Sequence, residues 1–283
     1  MRADFRAIQS LFGGQGEASG LGGSAAIGKS AEESAAIGRQ ALKDGEYERA
    51  IEAFKAAVAQ SDEKNPWMLF ELGNAYATAD YVPEAFRQYA KAKQIQKSGE
   101  LMVSLAALYQ RYGGKAKEAL AALHEAVEIE PENAYHHHKL AEGLRRYGFR
   151  RDALTAARVA VATGPDQAFY HFWLGDLLLE MGQYSEAAKS LKAAIELSPG
   201  EDHYFFLASQ ALWGEGKREE AVRAVRIASD LDPTSSFYRA LLVLWLRASG
   251  RDEEAATEES SLGDLAPYDR AKLETVRKRF FLR

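Results

Sequence analysis

Eight consecutive residues, Gly23-Ser24-Ala25-Ala26-Ile27-Gly28-Lys29-Ser30, satisfy the literal G-x4-G-K-S pattern of a phosphate-binding loop. In such a loop backbone amides wrap the phosphate, the lysine reaches the terminal phosphates and the next hydroxyl holds magnesium. That chemistry requires a buried strand before the loop and a hydrophobic run ending in a magnesium-binding Asp after it. Here a glycine-rich stretch precedes the motif, and no such run follows. The near-copy Ser34-Ala35-Ala36-Ile37-Gly38-Arg39 sits in a helical setting, so Ser24–Lys29 reads as an extension of the same helix.

His136-His137-His138 invites a metal reading. Adjacent helical residues point about 100° apart, so three in a row cannot face one ion, and ligands on a helix pair three or four residues apart. No further His or carboxylate completes a closely spaced set. Carboxylates are abundant, but no pair stands isolated in an apolar stretch. There is no Cys to act as a nucleophile, and no Ser stands in a G-x-S-x-G elbow. The residues therefore point away from enzymatic activity, and no catalytic residue, cofactor or metal is expected.

The bulk composition agrees. Apolar residues make up 47% of the 283, enough for a continuous core, and charged residues 27%. A formal net charge of -5 argues against a nucleic-acid partner, which usually calls for a basic excess. The absence of Cys removes disulfides and suits a reducing compartment. The first residues lack the apolar core of a secretion signal, and no stretch approaches the ~20 apolar residues of a membrane span. The expectation is a cytoplasmic protein.

What must position any functional residue is an internal repeat. Ala134–Gln167, Ala168–Glu201 and Asp202–Ser235 are each 34 residues long and superimpose without a gap. Leu140, Leu174 and Ala208 fall in register, as do Gly148, Gly182 and Gly216, then Ala153, Ala187 and Ala221, and then Ala160, Ala194 and Ala228. Pro165, Pro199 and Pro233 close the three blocks. This pattern resembles the tetratricopeptide repeat (TPR) family, a helix–turn–helix with Leu-Gly in the first helix, Ala-x3-aromatic in the second and a closing Pro. Further units start near Ala31 (Ile37-Gly38, Ala50, Phe54), after Pro66 (Leu72-Gly73, Ala85, Tyr89) and near Glu100 (Leu105-Ala106, Ala119, Leu123). The turn Tyr112-Gly113-Gly114-Lys115 carries about one extra residue. A last unit begins at Ser236, and Glu259 stands where its second helix should carry an aromatic. The resemblance implies an all-α, right-handed α-solenoid of about seven TPR units over residues 24–267.

Close packing gives the period its physical sense. Gly or Ala at the eighth position, and Ala at the twentieth and twenty-seventh, let paired helices approach, where larger residues would overpack at roughly 1–3 kcal/mol. Phe54, Tyr89 and Leu191, four residues after the Ala, are expected to fill the core. The ends differ from the repeats. Over residues 1–23, Phe5, Ile8 and Phe12 suggest an amphipathic segment followed by a glycine-rich linker. Over residues 268–283, Leu273, Val276 and Phe280 share one helical face, with Arg270, Lys272, Arg277, Lys278 and Arg279 elsewhere. That stretch reads as a capping helix, which exposed solenoid ends require; the alternative is a basic amphipathic helix for a membrane surface or an acidic partner.

In the TPR family the first helix of each unit lines an inner groove through its second, fifth, ninth, twelfth and thirteenth positions. Carried onto this sequence, the second and fifth positions are Trp67 and Phe70, Tyr135 and His138, Phe169 and Phe172, His203 and Phe206, and then Phe237. The ninth position gives Asn74, Glu142, Asp176 and Gln210. The twelfth and thirteenth give Arg111, Arg145, Arg146, Glu180 and Trp213. Large rigid rings edged with Arg are how binding hot spots are built. The resemblance thus implies a scaffold that binds a peptide segment of a partner protein, with Arg145 and Asp176 fixing register. The Lys/Asn pattern with which some members clamp a terminal carboxylate is absent, Ala35 and Arg39 opening the matching series. Leu144 to Arg151 contains four Arg and offers a grip on anions or a solvated turn. Two other readings stand beside the scaffold: a self-assembling homo-oligomer docking through either terminal segment, and a nucleotide binder using Lys29.

Overall fold

The structure, a computed structural model, describes residues 25–112 and 115–281, with side chains from Ser30 onward. The segment and linker expected over residues 1–23 lie outside the described residues, as do Gly113 and Gly114. Every regular element among the described residues is a helix. The chain divides into two compact units, Met1–Glu130 and Pro131–Arg283.

The first unit holds three helix pairs: α1 (Ala25–Asp44) with α2 (Tyr47–Gln60), α3 (Pro66–Thr78) with α4 (Val82–Ile95), and α5 (Gly99–Arg111) with α6 (Ala116–Ile129). Helix α1 already runs through Ala25 to Ser30, so the described part of the G-x4-G-K-S match is helical, while Gly23 and Ser24 lie outside the described residues. The second unit holds α7 (Ala134–Arg146) with α8 (Arg150–Thr163), α9 (Ala168–Glu180) with α10 (Tyr184–Leu197), α11 (Asp202–Glu215) with α12 (Arg218–Leu231), and α13 (Ser236–Ala248) with α14 (Asp252–Ser260). Helix α15 (Pro267–Phe281) follows. First helices of this unit begin at residues 134, 168, 202 and 236, and second helices at 150, 184, 218 and 252, reproducing the sequence period.

The signals that start and stop these helices are local. Asn65 Oδ1 accepts from the Trp67 and Met68 amides at 3.0 and 3.3 Å, and Asn133 Oδ1 from the Tyr135 amide at 3.1 Å. Pro66 opens α3, where its missing N–H costs nothing. First helices other than α5 end on a left-handed residue, Gly45, Gly148, Gly182, Gly216 or Gly250, with Asp80 filling that place after α3.

The expected close contacts are present in both units. Ala50, Ala85, Ala119, Ala153, Ala187, Ala221 and Ala255, one per second helix, are fully buried. A Cβ added to Gly38 would lie 2.7 Å from the Phe54 ring, one on Gly73 2.5 Å from Tyr89, and one on Gly175 2.5 Å from Leu191 Cγ. Helix α14 has nine residues where α8, α10 and α12 have fourteen. Its Glu259 turns outward to pair with Arg247 instead of filling the core.

Candidate peptide-binding face

Within the second unit the rings of the first helices form a ladder. The fifth-position ring of each helix meets the second- and third-position rings of the next. His138 of α7 lies 4.9 Å from Phe169 and 5.8 Å from Tyr170 of α9. Phe172 of α9 lies 4.9 Å from His203 and 4.8 Å from Tyr204 of α11. Phe206 of α11 lies 5.2 Å from Phe237 and 5.8 Å from Tyr238 of α13. Each ring pair is worth roughly 0.5–1.5 kcal/mol beyond the area it buries.

This geometry separates two roles that the sequence treats alike. Fifth-position rings are committed to packing: His138 and Phe206 are buried, and Phe172 is half-buried. Second-position rings divide: Phe237, which α13 contributes, is buried at 2%, whereas those of the preceding helices keep more exposed surface. Phe169 is 47% exposed, His203 is exposed and Tyr135 is half-buried. The first unit shows the same contrast, with Phe70 at 7% beside Trp67 at 44%, their centroids 5.3 Å apart.

The polar groups are largely engaged within the chain. Arg145 Nη2 donates to Asp176 at 2.8 Å, its Nε to Glu180 at 3.0 Å, and its guanidinium lies 5.3 Å from the Trp173 ring centroid. Arg145 and Asp176, expected to fix a partner's register, are thus paired with each other. Glu142 pairs with Lys139. Asn74 Oδ1 accepts from the Tyr89 hydroxyl at 2.7 Å. Arg111 donates to the Ala77 carbonyl at 3.0 Å and pairs with Asp80 at 3.1 Å.

The three consecutive His side chains go to different surroundings. His137 Nε2 lies 2.7 Å from the Pro131 carbonyl, a closure that His171 repeats on Pro165 at 2.8 Å. His136 is fully buried, and His138 enters the ring ladder. Burial, reinforced by the Lys139 charge, pushes the His138 imidazole down to about 4, so it is neutral at physiological pH. In the first unit the opposite happens to Glu71. Burial raises its carboxyl to about 7, the effect reduced by Arg39 at 3.8 Å and increased by Glu100 and Glu32.

Helix α15 lies against the first-helix residues of α11 and α13. Lys272 Nζ sits 4.7 Å from the Phe206 ring centroid, 4.0 Å from Phe237 and 5.7 Å from Tyr238. Arg279 Nη1 donates to Gln210 Oε1 at 3.2 Å. Phe281 lies 5.8 Å from Trp213, and Phe280 6.3 Å from Trp245 and 5.9 Å from Tyr184. Lys272 and Arg279, grouped by sequence with the charged outer face, are therefore on the packed side.

Sequence reasoning passed over the third-position tyrosines and Trp173. Tyr170, Tyr204 and Tyr238 recur in register, and that recurrence was the available signal. Trp173, under Arg145 and 5.1 Å from His138, has no such recurrence.

Comparison with known proteins bears on the architecture. Two family models described as tetratricopeptide repeat match residues 20–99 and 168–201. No curated protein matches the sequence. Among solved structures, the C-terminal part of a TPR repeat-containing protein from Cytophaga hutchinsonii is similar with a TM-score of 0.66 at 13% identity, over 83% of this chain and 97% of that one. Pseudomonas aeruginosa PilF gives 0.62 at 16% identity, over 76% and 98%. MamA from Desulfovibrio magneticus RS-1, from its residue 41 onward, gives 0.53 at 22% identity, over 62% and 95%. At such identities the likeness is one of fold. With the period, the helix pairs and both family models in agreement, the chain carries tetratricopeptide repeats.

Proposed function

We infer that the chain is a non-enzymatic scaffold that binds a peptide segment of a partner protein on the first-helix faces of its repeats. TPR folds serve generally as protein–protein interaction scaffolds. The observation that carries the finer reading is the split between ring positions: Trp67, Phe169 and His203 keep free surface while the fifth-position rings anchor the helices beneath them. A rigid ring held on one side and open on the other presents apolar area to a guest with little loss of side-chain entropy. Tyr135 and the half-buried Phe172 border the same surface in the second unit.

The test is a full-length Phe169→Ala/His203→Ala chain, used to capture partners from native lysate. Helicity should be unchanged and melting nearly so, while specifically retained protein is lost. Capture equal to that of the unaltered chain would contradict the reading. Trp67→Ala examines the first unit in the same way.

A further inference from the structure

Three α11 residues in contact with α15, Phe206, Gln210 and Trp213, stand at the fifth, ninth and twelfth positions of their repeat. On α13, α15 meets Phe237, the second-position ring, together with Tyr238 and Trp245. A helix of the chain's own is thus seated on the part of the first-helix face that the repeat register assigns to a guest. Its contacts are those of a recognition element: an ammonium over three ring faces, a guanidinium on an amide oxygen, and two terminal Phe rings against Trp213, Trp245 and Tyr184.

We propose that α15 is a tethered pseudo-ligand, and that the partner segment this face takes is a helix of the same chemistry, which binds by displacing it. The proposal rests on the groove reading given above and adds the partner's class. That class is an amphipathic helix with Lys or Arg at one position, an aliphatic residue four places on, a second cation at seven, and aromatic rings at eight and nine, as in Lys272, Val276, Arg279, Phe280 and Phe281.

Three observations favour a displaceable helix over a fixed element. Val276 is the one fully covered side chain among the described residues of α15, and Tyr268 at its start is 75% exposed. The helix hangs on residues 261–266, a short non-helical connection. Electrostatic complementarity is local and specific, because Lys272 faces the π-surfaces of three rings, one of which, Tyr238, donates its hydroxyl to Asp202. A short tether supplies an effective concentration on the order of millimolar. A weakly held helix can therefore keep the face closed until a partner of higher intrinsic affinity arrives, and the apparent affinity falls by the fraction of chains that are open.

The experiment compares two full-length chains, unaltered and Lys272→Glu/Arg279→Glu, for binding of a synthetic peptide with the sequence of residues 267–283. Hydrogen exchange is followed in both, and Val276→Asp serves as a second variant. The expected result is at least tenfold tighter peptide binding to the charge-reversed chain. Amides of residues 267–281 should exchange faster there, while those of α11 and α13 keep their protection. Equal affinity for the two chains, or no binding to either variant, overturns the proposal. So does α15 protection that persists in both variants, or that is lost only together with α11 and α13, since either outcome makes α15 an inseparable part of the fold. Failure of the groove reading is distinguishable: it appears as unchanged partner capture by Phe169→Ala/His203→Ala, whatever α15 does.

Discussion

Gly73 and Gly182 lack a side chain for different physical reasons, and substitution separates them. At Gly73 a methyl would enter the Tyr89 ring at 2.5 Å, and that ring is held both by burial and by its bond to Asn74. Overpacking of about 1–3 kcal/mol outweighs or cancels the ~1 kcal/mol that Ala gains in helix propensity. At Gly182 a methyl meets open space, but φ is +73°, a conformation costing an L-residue roughly 1–2 kcal/mol. Urea melts of Gly73→Ala and Gly182→Ala should both show loss. Restoring space with Tyr89→Leu should rescue only the Gly73 variant.

Two titrating groups give opposite pH slopes at this scale. His138 falls from 6.5 to about 4 on folding, so the unfolded chain binds the extra proton. Its contribution is present above pH 6.5 and is lost as pH falls through 4, on the order of 3 kcal/mol for a shift of that size. Glu71 rises from 4.5 to about 7, so its contribution is present below pH 4.5 and is lost as pH rises through 7. Denaturant midpoints across pH 4–8 should show His138→Phe weakening the acid-side loss and Glu71→Gln weakening the neutral-side loss. Unchanged profiles would remove these assignments.

Among the elements, the helices that follow the period were readable because several boundaries carry a residue that enforces them. Pro66, Asn133 and the left-handed glycines act within one turn, so sequence spacing locates them without tertiary knowledge. The early end of α14 was signalled too, by Glu259 where an aromatic belongs. The placement of α15 was not. Periodicity found the stripe of Val276 and Phe280, but which surface receives a stripe depends on distant residues, here Gln210, Trp213 and Trp245. The cation–π seat of Lys272 is invisible for the same reason, since a Lys in sequence looks solvated until three rings are folded beneath it.

At the scale of the whole chain, the repeat supplies each unit with nearest-neighbour interfaces, and the ring ladder is how the first helices make theirs. The register predicted which residues share a face: Tyr135, His138, Phe169, Phe172, His203 and Phe206 do lie along the first helices of the second unit. It did not separate rings that hold the face together from rings that present it, because both are aromatic and recur three residues apart. That separation comes from the stacking of successive helices, which turns the fifth position into the joint and leaves Trp67, Phe169 and His203 at the second position exposed, with Phe237 buried. The central claim is therefore positional, and site-specific photo-crosslinking tests it most directly. Full-length chains carrying p-benzoylphenylalanine at Phe169, or at Ile227 on α12 as the outward control, are irradiated in native lysate. The account predicts discrete protein adducts from position 169, suppressed by excess unaltered chain but not by the Phe169→Ala/His203→Ala chain. Adducts from position 227 alone, or equal suppression by both competitors, would contradict it.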